Sequence, residues 1–254
     1  MVYGYSDLIV NNTGTFEGGL YRFVKINSQA KIRGGLECAT LKISSGADIS
    51  GDVTARECIF DANTAIAGKV IADQMKVSGA ATVRGEAGVG ELRLSGRLLV
   101  LASLISITSL VSGELKVNGK LAGDSFELSG RVTSEECEMR RFFSSGQFDI
   151  QVLRAANVEI SLVNRCQAGI ILSEKLVVRE NPSLRLFPFA FLLSHQRLFA
   201  DSIEGDEIYL ECTQANKVLG NRVIVGKHCK VGTVEYRESF DVAGNGKVRT
   251  TRRL

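Results

Sequence analysis

Ile32-Arg33-Gly34-Gly35-Leu36, Ile49-Ser50-Gly51-Asp52-Val53, Ile66-Ala67-Gly68-Lys69-Val70 and Val83-Arg84-Gly85-Glu86-Ala87 repeat one pattern at a fixed interval of 17 residues. Self-similarity at a short fixed period is the mark of a solenoid, in which each repeat packs only on its neighbours. Counted from the leading aliphatic residue, glycine stands at plus two. Leu36, Val53, Val70 and Ala87 stand at plus four, and Cys38, Ala55, Ala72 and Val89 at plus six. The next apolar pairs, Leu41/Ile43, Cys58/Phe60, Met75/Val77 and Leu92/Leu94, fall at plus nine and plus eleven. Small Ser45, Ala62, Gly79 and Gly96 follow at plus thirteen.

Alternation at period two describes strands with one buried face. An odd repeat that always returns to an inward aliphatic must break parity once per coil, and the step from plus six to plus nine is that corner. The small residues at plus two and plus thirteen are expected to point inward at tight corners where backbones come close. One coil cannot bury its apolar stripe, so coils must stack, strand on parallel strand, about 4.8 Å apart. The fold expected is all-β, a single-stranded parallel β-helix (β-solenoid) with coils of about 17 residues. Further rungs are expected at Leu115–Leu121, Phe126–Val132, Cys137–Met139, Asn157–Leu162, Ile208–Cys212 and Val223–Gly232. Periodicity alone leaves the handedness open.

The 254 residues suffice for one sizeable core. Twenty-six glycines and two prolines fit frequent corners, and a net charge of +3 gives no electrostatic reason to expect nucleic acid. Six scattered cysteines, three of them (Cys38, Cys58, Cys137) at inward positions, read as buried thiols of a reducing cytosol. No signal-peptide pattern or membrane-spanning apolar run is present, so a cytoplasmic location is expected, with the inner face of the cell membrane as the place of any membrane contact.

Three segments depart from the repeat. Residues 1–14, with Tyr3, Tyr5, Leu8 and Ile9, form an N-terminal cap or a membrane-contacting peptide. Residues 15–180 are the main solenoid, and residues 201–240 are its terminal rungs. Between them, 181–200 holds both prolines and the apolar Phe187, Phe189 and Phe191, which read as core, membrane or partner surface. Residues 241–254 carry Lys247, Arg249, Arg252 and Arg253 beside one acid, Asp241, and are expected to be a basic flexible tail.

Chemistry is sparse. His195 borders the apolar insert without a nearby partner in sequence. His228 adjoins Cys229 and lies one coil from Cys212, but alternation turns His228 outward when Cys229 points inward, and no paired zinc-type spacing occurs. Asp201, Glu204, Asp206 and Glu207 read as a solvated turn. No phosphate loop, nucleophile elbow or calcium loop is present. The stretch Val225–Gly232 mimics one hexapeptide of left-handed β-helix acyltransferases, whose coils have 18 residues and several sequential copies. No enzyme, cofactor, metal or small-molecule substrate is expected, and the acyltransferase stands as the alternative, with a monomeric scaffold binding protein partners as another.

The alternating rungs, the Leu115–Leu121 and Phe126–Val132 turns, and the C-terminal stretches Ile203–Glu211, Val223–Gly226 and Cys229–Tyr236 resemble the bactofilin family, in particular its longer Firmicutes-type members. The resemblance covers about residues 14–236. It implies a right-handed β-helix that assembles end to end without nucleotide, alone or with a paralogous bactofilin, often close to the membrane, in support of cell shape or motility. The two ends of a solenoid are different surfaces whose contact need not close on itself. Polymer-interface candidates are Phe16, Leu20, Phe23 and Ile26 at the first rung, and Val223, Val225, Val231, Val234 and Phe240 near the last.

Overall fold

The computed structural model describes residues 6–181 and 196–254, and among them every regular element is a β-strand. The chain divides into two compact units, Met1–Asp124 and Ser125–Leu254. Each is a parallel β-solenoid.

The first unit contains β1 (Asp7–Val10), β2 (Gly14–Leu20), β3 (Phe23–Ile26), β4 (Ala30–Ile43), β5 (Ala47–Ile49), β6 (Val53–Phe60), β7 (Thr64–Ile66), β8 (Val70–Val77), β9 (Ala80–Val83), β10 (Ala87–Leu94), β11 (Arg97–Val100), β12 (Leu104–Val111) and the start of β13 (Glu114–Leu128). From Ala30 onward its register advances by a constant 17: Ala30 pairs with Ala47, Val53 with Val70, and Leu94 with Val111. A bulge between Glu17 and Gly19 converts the shorter first coil, in which Phe16 pairs with Ile32, into this spacing. Gly34 (φ 86°) lies in the longer coil's extra corner residue set.

Burial shows how a coil is built. Ala30/Ile32, Leu36/Cys38 and Leu41/Ile43 are buried pairs, each flanking one outward residue, so a coil has three short faces. The corners between them, residues 33–35, 39–40 and 44–46, have three, two and three residues. The two-residue corner is the parity break expected between plus six and plus nine. The corner glycines do not point into the core, as the sequence reading had it. A Cβ on Gly85 would lie 2.7 Å from the Gly68 carbonyl group, and one on Gly68 would lie 2.6 Å from the Asp52 nitrogen, both in the preceding coil. Glycine is required there because adjacent corners stack closer than a side chain permits.

The second unit contains β14 (Arg131–Ser144), β15 (Gln147–Leu162), β16 (Arg165–Glu180), β17 (Arg197–Leu210), β18 (Thr213–Val225), β19 (Lys230–Val242) and β20 (Lys247–Arg253). Its coils vary. Arg131 pairs with Gln147, Asp149 with Gln167, and Leu198 with Thr213, advances of 16, 18 and 15. The three-face rung persists while the corners change. In the shortest coil each corner has two residues (201–202, 206–207 and 211–212), and in the longest one corner spans 161–165. Phe126, Phe142 and Phe148 fill the interior with ring centroids 5.6 and 5.7 Å apart. Several inward polar residues are satisfied locally, although the buried hydroxyl of Ser173, in the column of Ala155, has no hydrogen-bond partner among the described residues. Ser106 and Ser109 share a 2.6 Å hydrogen bond in the first unit, and Thr213 Oγ1 donates to the Glu211 carbonyl at 2.9 Å in the second.

Two segments differ from expectation. Residues 7–10, expected within an N-terminal cap or membrane-contacting peptide, form a strand of the first coil, in register with Phe23–Ile26. Lys247–Arg253, expected within a flexible tail, form β20 in register with β19, from Lys230/Lys247 to Tyr236/Arg253. Apolar alternation fails there: Thr251 occupies the column of inward Val234, and among the described residues no strand pairs with the far side of β20.

Candidate functional site

Both terminal layers leave strand edges unpaired among the described residues. β1 and β2 pair only forward, with β3 and β4, and β20 pairs only backward, with β19. Of the interface candidates, Leu20 is 44% exposed, Phe16 and Phe23 are half-buried, and half-buried Phe240 stacks on Tyr236 at 5.5 Å. Ile26, Val223, Val225, Val231 and Val234 are fully buried. They belong to inward columns with a coil on each side and offer nothing to a partner. Leu8 is half-buried and Ile9 is 54% exposed. Tyr3, Tyr5, Phe187, Phe189, Phe191 and His195 lie outside the described residues, as does most of the 181–200 insert; its last residues, Arg197 to Ala200, already belong to β17.

The two terminal layers differ in charge. The first holds Asp7 and Glu17 and no cation between Ser6 and Leu20. Arg22 Nε and Nη2 donate to Asp7 at 2.9 and 2.7 Å, and these hydrogen bonds hold the Asp7 carboxyl below its usual range. Arg33 lies 4.0 Å from Glu17. The last layer exposes Lys247, Arg249, Arg252 and Arg253, and Lys247 stacks directly on Lys230. Between the ends, outward charges pair from coil to coil. Lys175 meets Glu207 at 3.7 Å, and Arg222 bonds both Glu207 and Glu238. Arg222 therefore pulls the Glu207 carboxyl down. Exposed pairs of this kind contribute less to stability than to coil register.

A second network stands where the insert leaves the solenoid. Lys227 lies 3.2 Å from Glu180 and 3.6 Å from Glu211, Tyr209 Oη donates to Glu211 at 2.9 Å, and the Glu180 amide donates to the other Glu211 oxygen at 2.9 Å. It ties together the coils on both sides of the insert.

No group of three or more His, Cys, Asp or Glu side chains suited to a metal occurs among the described residues. All six cysteines are buried and free. Burial pushes the Cys38 thiol up to about 12 and those of Cys166 and Cys229 to about 11. Thiolates with nucleophilic character are not formed there near neutrality. His228 is exposed in a left-handed conformation (φ 59°), away from buried Cys229 and Cys212. Its amide donates to Asn245 Oδ1 at 2.7 Å, and its Nδ1 lies 3.1 Å from Asn245 Nδ2, so it pins one turn to the next.

Two surfaces escaped the sequence reading. In the first unit Ile105 and Ile107 are 60% and 66% exposed, and Ile71 and Ile105 flank Gly88, whose side-chain position opens on empty space. In the second unit a polar groove of about 190 Å³ is lined by Gln151, Gln167, Phe199, Asp201, Gln214 and Asn216. Its members are 15, 18 or 32 residues apart in register, so no fixed period announces them.

No family model matches the chain. It is 40% identical over 58 residues to a protein of Bacillus subtilis (strain 168) described as uncharacterized protein YhbF, covering 23% of this chain and 25% of that one. It is also 40% identical over 63 residues to uncharacterized protein YhbE of the same organism, covering 25% of this chain and 27% of that one. The chain thus matches about a quarter of the length of these curated relatives. No solved structure matches it. No helix among the described residues is long and apolar enough to cross a membrane. The class of protein defined by these observations is a parallel β-solenoid.

Proposed function

We propose that this chain is a non-catalytic cytoskeletal protein that joins end to end, through its terminal layers, into filaments formed without nucleotide. Cell shape or motility is the service that the bactofilin resemblance implies. The observation that carries the reading is the pair of unpaired terminal layers of opposite charge. An open edge of backbone donors and acceptors is a template for another strand, and a heterologous end contact propagates. Register supplies the detail. Glu17 follows inward Phe16 at the first corner of its coil, and Arg249 follows Val248 at the corresponding corner of the last. Continuing the stack from one copy into the next places Glu17 on Arg249, repeating the Glu17–Arg33 contact within the chain. Like-with-like contact at the C-terminal layer, whose four cations in β20 outnumber Glu238 and Asp241 at the end of β19, would instead oppose like net charge.

Negative-stain microscopy of the purified chain without nucleotide should show filaments. Glu17→Lys and Arg249→Glu should each shorten or abolish them, and an equimolar mixture of the two variants should restore them, because every junction is then again opposite in charge. Wild-type protein that stays monodisperse at high concentration sinks the filament reading. Filaments that ignore both substitutions sink only the junction. A second reading, a monomeric scaffold binding protein partners along one side, is favoured by the exposed Ile71, Ile105 and Ile107 around Gly88. It predicts a small particle under all these conditions.

A further inference from the structure

The polar groove of the second unit differs in chemistry from the charged outward columns of that unit. There, outward side chains neutralise one another in cross-coil ion pairs such as Lys217–Glu235 at 2.9 Å and Lys175–Glu207 at 3.7 Å. In the groove they are neutral amides, and Gln151, Gln167 and Gln214 make no side-chain hydrogen bond with any described residue. The Phe199 ring keeps two of them apart, since Gln167 pairs with Phe199 and Phe199 with Gln214 in register. An uninterrupted amide ladder would have bonded to itself. Arg165 packs over the ring at 4.6 Å and holds it in place. Gly169, level with Gln151 and Asp201, leaves the floor of the groove without a side chain. Asn216 Nδ2 donates to Asp201 Oδ1 at 3.2 Å and orients the single carboxylate.

We infer that this groove is a binding site for a neutral saccharide. Each amide offers both a donor and an acceptor, the combination that hydroxyl groups require, and the part of the Phe199 ring that lines the groove beside Arg165 offers apolar contact for the C–H side of a sugar. The volume of about 190 Å³ suits one or two sugar units of a chain lying across the coils. A phosphate or other anion would face the Asp201 carboxylate that lines the groove, whereas the Arg165 guanidinium lies outside the lining, packed over the Phe199 ring. A peptide adding as a strand has no edge to use, because β15, β16, β17 and β18 are each paired on both sides.

The test is saturation-transfer NMR and calorimetry of the full chain with cellotetraose, maltotetraose and chitotetraose, beside a soluble Gly-Ser decapeptide. At least one tetrasaccharide should bind. The exposed double substitution Gln167→Ala/Gln214→Ala should weaken it about tenfold or more, as expected for two lost hydrogen bonds. Asp201→Ala should weaken it separately, and the distant exposed Gln74→Ala should leave it unchanged, all with unaltered circular dichroism. Absence of binding by all three sugars overturns the inference. So does binding that survives the Gln167/Gln214 change, or capture of the peptide in place of the sugars.

Discussion

The two units obey the same rung rule with different corners. In the first, corners of three, two and three residues recur from coil to coil and fix the advance at 17. In the second, the advance runs from 15 to 18 because corners shrink to two residues or grow to five. What the difference teaches is where specification resides. The in–out–in triplet of each face is the conserved physical unit, since it alone fills the core, and the corners are adjustable spacers.

The largest contrast is expected from the thiols. The first unit buries Cys38 and Cys58, and the second buries Cys137, Cys166, Cys212 and Cys229. All six are raised by desolvation, Cys38 to about 12 and Cys166 and Cys229 to about 11. An unfolded thiol titrates near about 8.5. Above that pH the unfolded chain gives up protons that the folded chain keeps, so stability falls as pH rises, and it continues to fall until the folded thiols ionise. At pH about 9.5 each strongly raised thiol should cost about 1 kcal/mol. The second unit holds three of these, Cys137, Cys166 and Cys229, against Cys38 and Cys58 in the first, and should therefore lose more than the first. Thiol labelling resolved by cysteine along a urea series, at pH about 7.5 and 9.5, measures both losses. Equal losses would break the assignment of these thiols to folded cores.

Corner chemistry should separate the units more modestly. Gly85 stacks on Gly68 with no room for a Cβ, so Gly85→Val should destabilise the first unit by about 1–3 kcal/mol. Ser202 lies in a two-residue corner of the second unit whose column already holds Val152, Ile170 and Lys217. Ser202→Val should change stability by less than about 0.5 kcal/mol. Urea midpoints decide it, and a Gly85→Val protein as stable as wild type would show that the first unit's corners are as accommodating as the second's.

The same division explains what was legible in the sequence. The repeats at Ile32, Ile49, Ile66 and Val83 stand out because constant corners keep inward residues in phase. The parity break and the inward cysteines follow from that phase. In the second unit the phase slips at residues 161–165, at the insert and at 211–212, so its rungs read only as isolated alternations. β20 was illegible because an outermost strand needs no apolar face. Val223, Val225, Val231 and Val234 are buried, not end residues, because a further layer follows each of them: Phe240 and Val242 cover Val223 and Val225, and Val248 and Thr251 cover Val231 and Val234. The groove of Gln167, Phe199 and Gln214 was invisible because residues of that chemistry become neighbours only once the insert between Gln167 and Phe199 is spanned by strand pairing.

The smallest effect tests the spacer idea most directly. One glycine inserted between Glu211 and Cys212 lengthens a two-residue corner to three, the length found after Val225 at residues 226–228. The inward residues on each side, Leu210 and Thr213, need not change place, so no side chain is turned from core to solvent. The entropic cost of one more corner residue is well below about 1 kcal/mol. Cys212, held at φ 47°, gains a glycine neighbour able to take the left-handed conformation in its place. The insertion should therefore cost less than about 1 kcal/mol in urea unfolding. A loss of several kcal/mol would show that corner length here is set by the Glu180, Glu211 and Lys227 network instead of being free to vary.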